Sequence, residues 1–279
     1  MPRRTVAALL LLTAAALALQ SCLPGGMTLP QSPALKWLER KAGRIAYVGL
    51  DGNIHTIDQG GGGLKDVTSD AAVAEDTTAV SFFYQFPAWS PDGRQVAFVG
   101  VRRSADVVMS SGIWAGPADG NPARVYEGTD SIPVHVSWSP DSSRLAFVSA
   151  NGANQQQLET VSARGGPVRI LREGTAFTWR WKKGAAALAV HSMRLAAGGV
   201  EEQVSILDSL GVAGDQDLPS VPGNFDAPAW SPDGQGLIIA VRDGTGATLS
   251  VEGTGGASGP AIAHVEGETT FELSPDGSR

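Results

Sequence analysis

The chain has 279 residues, 42% hydrophobic and 18% charged, with 35 glycines, 17 prolines and one cysteine. A formal net charge of −7 argues against a surface built for nucleic acid or for anionic lipid headgroups. A single cysteine rules out a metal site of paired cysteines, and the abundant glycine and proline favour a protein with many tight turns.

The first 21 residues are predicted to be the signal peptide of a lipoprotein. Arg3 and Arg4 precede an uncharged apolar stretch that covers residues 6–19. As a helix these 14 residues would extend about 21 Å, short of the roughly 30 Å hydrocarbon core, so the segment is expected to direct export and then be removed. Cys22 stands where the bacterial lipobox places the cysteine that receives diacylglycerol.

We therefore expect lipidation of Cys22, with residues 22–36 as a tether between the anchor and the folded part. Two other interpretations stay open. One is an ordinary signal peptide with a free thiol near the cleavage point, and the other is twin-arginine export through Arg3 and Arg4. Lipidation would place the protein in the bacterial cell envelope, attached to a membrane on its extracytoplasmic side.

The folded part is expected to span residues 37–279 and to open with an irregular unit. Trp37 is followed by an apolar run at 43–48, which matches residues 93–99 with one residue fewer. A hairpin at Asp51-Gly52 and a strand over 53–58 are predicted to follow.

One phrase then recurs along the chain. Its head residues are Trp89, Trp138, Trp181, Trp230 and Leu273, at steps of 49, 43, 49 and 43 residues, and the copy at 181–184 is degenerate. Periods of about 40 to 50 residues are typical of propeller blades. Proline presets the first turn position, aspartate bonds the backbone and glycine accepts unusual dihedrals, so each phrase predicts a tight turn between two strands. The turn residues are Pro91, Asp92, Gly93, Pro140, Asp141, Pro232, Asp233, Gly234, Pro275, Asp276 and Gly277.

The strand after each turn is nearly all apolar, as at 96–99 and 145–148, which predicts burial on both faces. Two further strands follow in each unit, so the sequence predicts an all-β propeller with four antiparallel strands in each blade. Blades are expected to start near 37, 89, 138, 181, 230 and 273. This gives five blades plus the start of a sixth, and we expect a truncated six-bladed propeller, the alternative being five blades that close with a short tail.

The W-S-P-D-G phrase followed by an apolar strand resembles the repeat of TolB-type propellers, a branch of the WD-like repeat proteins, over roughly residues 37–279. The same repeat forms the propeller of prolyl-oligopeptidase-type serine peptidases. The resemblance implies the propeller fold, while the motif is poor at indicating function.

Catalytic motifs are absent from the sequence: it has no G-x-S-x-G elbow, no H-E-x-x-H and no phosphate-binding loop. We therefore expect no enzyme, no cofactor and no metal. The turn aspartates are expected to cap their own turns rather than to line a cation channel. The histidines are expected to fill sheet surfaces rather than to form a ring of ligands; they are His55, His135, His191 and His264.

These features favour a non-catalytic, lipid-anchored protein-interaction scaffold of the cell envelope, whose partner is another envelope protein. Three long inserts, at 66–84, 102–111 and 207–225, are the expected recognition elements. Two alternatives stay open: a solute- or glycan-binding lipoprotein, and the propeller of a larger, peptidase-like enzyme whose catalytic domain is missing.

Overall fold

The computed structural model describes residues 43–76, 78–105, 107–128, 131–151, 155–184, 186–220, 228–267, 270–271 and 273–274. These residues form nineteen β-strands, and they include no helix that could span a membrane. The signal peptide, Cys22, the tether, Trp37 and the last predicted turn, with Pro275, Asp276 and Gly277, lie outside the described residues.

The strands form five antiparallel sheets that follow one another along the chain. The first sheet has three strands, β1 (Arg44–Val48), β2 (Ile54–Asp58) and β3 (Lys65–Asp66). The second has β4 (Val80–Trp89), β5 (Gln95–Ser104), β6 (Val107–Pro117) and β7 (Ala123–Gly128). The third has β8 (Ser131–Trp138), β9 (Arg144–Asn151), β10 (Gln155–Ser162) and β11 (Arg169–Gly174).

The remaining two sheets repeat this order of strands. The fourth has β12 (Ala176–Trp181), β13 (Ala187–Ala196), β14 (Gly199–Asp208) and β15 (Gln216–Asp217). The fifth has β16 (Ala229–Trp230), β17 (Gly236–Asp243), β18 (Gly246–Gly253) and β19 (Ser258–Glu266). In every four-stranded sheet neighbouring strands in the chain are hydrogen-bonded neighbours, and the tryptophan ends the first strand.

The second strand of each inner sheet is buried on both faces. In β5, Val96 and Phe98 join a cluster with the first sheet, whereas Ala97 and Val99 join a cluster with the third. All four side chains are completely buried. Successive side chains point to opposite faces of a strand, so a continuous apolar run packs against both neighbouring sheets.

Four hydrophobic clusters join each sheet to the next one along the chain. Among the described residues no cluster joins the first sheet to the fifth, so these sheets do not close into a ring. The prediction of an all-β propeller built from four-stranded antiparallel blades is confirmed. Glu266 ends the fifth sheet and residues 270–271 and 273–274 are in no strand, so the sixth blade stays a prediction.

The first strands of the second and third sheets share a bulge. Their register shifts between Gln85 and Ala88 in β4 and between Val134 and Ser137 in β8. In each, the residue three positions before the tryptophan has a left-handed backbone, with φ of 56° at Phe86 and 54° at His135. Both bulged residues are exposed.

Candidate interaction surfaces

The turns after the tryptophans are closed by a serine and an aspartate. In the third sheet the Ser139 hydroxyl donates to Asp141 Oδ1 at 2.6 Å and accepts the Arg144 amide at 2.9 Å. Asp141 Oδ1 also accepts the Ser143 amide at 3.1 Å. The same contacts recur around the pairs Ser90–Asp92 and Ser231–Asp233.

Hydrogen bonds inside the turns lower the pKa of the three aspartates. The serine hydroxyl is the largest cause at Asp92, Asp141 and Asp233, and a backbone amide two residues later also contributes to each. The carboxylates are therefore ionised at neutral pH and bonded within their own turns. No group of three or more histidine, cysteine or acidic side chains in the described part of the chain could hold a metal ion.

Three of the four tryptophans that end a first strand reach back to the preceding sheet. The Trp138 indole nitrogen donates to the Ala88 carbonyl at 2.9 Å, and that of Trp230 donates to the Arg180 carbonyl at 3.1 Å. Trp181 donates to the Ser137 hydroxyl at 3.1 Å. Each acceptor belongs to the residue just before the previous tryptophan. The structure thus gives these tryptophans equivalent positions between neighbouring sheets.

Burial differs among the tryptophans. Trp138 is 7% exposed, whereas Trp89, Trp181 and Trp230 are partly buried. The Trp89 indole nitrogen has no acceptor among the described residues.

The degenerate turn after Trp181 is held differently. The Lys182 amide donates to the Ala187 carbonyl at 2.8 Å, as the Ser231 amide donates to Gly236 at 2.9 Å in the complete turn. Its left-handed residue, Gly184, comes three residues after the tryptophan, whereas in the complete turns that residue comes four after it. Lys182 Nζ lies 4.8 Å from the ring centre of Trp230, a cation–π contact with the next sheet.

The four histidines lie in four different sheets, and in the described part of the chain they form no group that could hold a metal ion. His191 is fully buried, and His135 and His264 are exposed. His55 lies between two carboxylates, with Nε2 at 3.1 Å from Asp51 and Nδ1 at 2.9 Å from Asp66. Burial lowers the pKa of His55, but its hydrogen bonds to both carboxylates and their negative charges outweigh it and raise the pKa overall.

The end of the sheets opposite the W-S-P-D-G turns carries exposed apolar side chains. In each sheet the second strand starts at the turn after the tryptophan and runs to the opposite end. The long hairpins β5–β6 and β13–β14 therefore lie at that end. On the first hairpin Val107 is 66% and Met109 is 51% exposed. On the second, Leu195 is 70% and Val200 is 56% exposed.

One of the three predicted recognition inserts lies at this end. Its residues 102–104 and 107–111 form the ends of β5 and β6, with a bulge between Arg102 and Arg103. Residues 66–84 include an isolated bridge between Ala72 and Phe82 and the start of β4. Of residues 207–225, the described ones extend to 220 and contain β15.

Comparison with known proteins gives fold relatives only. No protein-family profile matches the chain. WD repeat-containing protein 1 of Xenopus tropicalis is 30% identical over 119 residues, which are 43% of this chain and 18% of that protein. An oligogalacturonate lyase of Vibrio parahaemolyticus superposes with a TM-score of 0.52 at 11% identity, over 84% of this chain and 65% of the lyase.

TolB of Acinetobacter baumannii is also similar, with a TM-score of 0.39 at 19% identity, over 78% of this chain and 63% of TolB. The chain spans less than two thirds of each of these three proteins. At such identities the likeness to the solved structures concerns the fold. Its sheet order shows a β-propeller fold, and its repeat phrase resembles that of TolB-type propellers.

Proposed function

We propose that this protein is a non-catalytic, lipid-anchored propeller of the bacterial cell envelope that acts as a protein-interaction scaffold. Another envelope protein is the expected partner. The observation that carries the proposal is the set of exposed apolar side chains on the β5–β6 and β13–β14 hairpins, at one end of the sheets. Contact with a protein would remove these side chains from water, which favours association.

Photo-crosslinking in cells tests which end binds a partner. A photoreactive phenylalanine analogue replaces Met109 or Leu195 at the hairpin end, or Lys183 at the opposite, turn end as the matched exposed control. We expect a discrete crosslinked product, identified by mass spectrometry as an envelope protein, from the two hairpin positions and none from Lys183. Equal crosslinking from both ends, or none from the hairpins, would contradict the proposal.

The anchor is tested separately with Cys22→Ala. Each buried acyl methylene contributes about 0.8 kcal/mol, so an acylated Cys22 would hold the protein on a membrane and the variant should move to the soluble fraction. Mass spectrometry of the wild type should find acyl chains on Cys22. A variant that stays with membranes, together with an unacylated wild type, would rule out the lipid anchor.

A further inference from the structure

Two junctions between neighbouring sheets are crossed by a bridge of arginine and threonine. Arg44 Nη2 donates to Thr56 Oγ1 at 2.8 Å, and that hydroxyl donates to the Ala118 carbonyl of the second sheet's last hairpin at 3.0 Å. Between the third and fourth sheets, Arg144 Nη2 donates to Thr160 Oγ1 at 3.1 Å. The Thr160 hydroxyl donates in turn to the Ser209 carbonyl at 3.2 Å.

The second sheet lacks both members of this bridge, as does the fourth, where Ala187 and Ile206 hold the two positions. Arg44 and Arg144 are the first residues of β1 and β9, directly before an apolar run, and Gln95 holds that place in β5. The threonine position pairs with the alanine of that run, Thr160 with Ala146, and its counterpart in the second sheet is Ala115, which pairs with Ala97.

A cavity of about 440 Å³ lies where a third bridge would cross from the second sheet to the third. Gln95 is in its wall on one side and Ala163 on the other. Ala163 corresponds to the acceptors Ala118 and Ser209, because each of the three donates its amide to the carbonyl of the residue just before the arginine position. The volume is within the range of small-molecule sites, roughly 300–1,000 Å³.

The wall of the cavity suits a cation. Asp92 and Asp141, from two successive turns, line it together with one arginine, Arg164. The two turns also touch each other there, since the Asp92 amide donates to the Ser142 hydroxyl at 3.2 Å. A planar guanidinium presents five N–H donors, which match carboxylate and carbonyl acceptors.

We propose that this cavity binds a guanidinium group from outside the chain, which takes the place that Arg44 and Arg144 fill in two of the three other junctions. The group belongs either to a free small molecule or to an arginine side chain of a bound polypeptide. Its donors would face the carboxylates of Asp92 and Asp141 and the carbonyl of Ala163. The site is independent of the proposed scaffold role, because it lies at the turn end of the sheets rather than at the hairpin tips.

Calorimetric titration of the full chain tests the cation and its source. N-acetyl-arginine amide should bind saturably, and the matched citrulline compound, which has a neutral ureido group, should bind at least tenfold more weakly. Free arginine represents the small-molecule source, and a Gly-Arg-Gly peptide represents the polypeptide source. The ligand that represents the correct source should bind more tightly than the other. Equal binding of arginine and citrulline compounds, or no saturable binding at millimolar concentrations, would overturn the proposal.

The double variant Gln95→Arg, Ala115→Thr introduces into the second sheet the arginine and threonine that form the bridge in the first and third sheets. It should bind N-acetyl-arginine amide at least tenfold more weakly than the wild type and should melt at a higher temperature. Unchanged binding by this variant would overturn the proposal. NMR chemical shifts of the wild-type amides on addition of N-acetyl-arginine amide locate the site without any variant. Shift changes at Ser142 and Ala163 would support the proposed site, and changes confined to other residues would contradict it.

Discussion

The turns after Trp138 and Trp181 connect equivalent strands but are stabilised by different contacts. After Trp138, the side chains of Ser139 and Asp141 bond each other and the following backbone. After Trp181 neither residue type is present; the closing backbone bond of Lys182 remains, and its side chain covers Trp230 in the next sheet. The comparison indicates that a blade needs its tryptophan and the closing backbone bond, whereas the serine–aspartate pair stabilises the turn locally.

The largest effect is expected from Trp138→Ala. The side chain is 7% exposed within the cluster that joins the second and third sheets, so its removal should leave a cavity and cost about 3–5 kcal/mol of unfolding free energy. Urea denaturation measures this. Trp138→Phe is the control and should lose less, because most of the packing remains. A loss of less than about 1 kcal/mol for the alanine variant would contradict the role given to the tryptophan.

Ser139→Ala should have an intermediate effect. It removes the hydroxyl that bonds Asp141 and leaves the Arg144 amide without its acceptor, at a cost of about 1–2 kcal/mol. Lys183→Ala, in the degenerate turn, is the exposed control and should leave the melting temperature unchanged. Equal melting temperatures for both variants would show that the serine–aspartate pair does not stabilise the complete turn.

Lys182→Met should have a smaller effect. Methionine keeps an apolar stem of similar length but loses the charge over Trp230, and an exposed cation–π contact contributes about 0.5–1 kcal/mol. The same substitution at Lys183 is the matched control. If Lys182→Met and Lys183→Met unfold at the same denaturant concentration, the contact with Trp230 does not compensate for the absence of the serine–aspartate hydrogen bonds in this turn.

The smallest expected signal is a local response to acid. The Ser139 hydroxyl is the main cause that lowers the pKa of Asp141, so the turn bonds are fully present above the ordinary carboxyl pKa near 4. They are lost as the pH falls through the lowered pKa of the folded state. Hydrogen-exchange protection of the Ser143 amide should then fall, while that of Lys182, bonded to a backbone carbonyl, should persist. Parallel loss at both amides would contradict this difference.

Sequence alone predicted what depends on local pattern. The tight turn after Trp138 follows from proline and aspartate at fixed positions, and the buried strand at 145–148 follows from its apolar run. The conformation of the inserts was harder to predict: residues 102–111 were expected to be an insert that serves recognition, and residues 102–104 and 107–111 form strand ends. Val107, Val108 and Met109 have side chains that suit a strand, which is a signal that the sequence does contain.

Other features were missed because they depend on contacts between distant parts of the chain. The left-handed backbone at Phe86 and His135 has no local signal, since glycine and asparagine are the usual residues in that conformation. The bridge from Thr56 to Ala118 joins residues 62 apart in sequence. The absence of that bridge at Gln95 becomes visible only when the sheets are compared in space.

The direction of the indole hydrogen bonds bears on how the protein assembles during translation. In each pair the donor is in the later sheet and the acceptor is in the earlier one, as from Trp138 to Ala88 and from Trp230 to Arg180. A ribosome releases the amino-terminal residues first, and domains begin to fold in that order. The third, fourth and fifth sheets therefore each meet an acceptor that has already been synthesised, so these blades can be added one at a time, each against its predecessor.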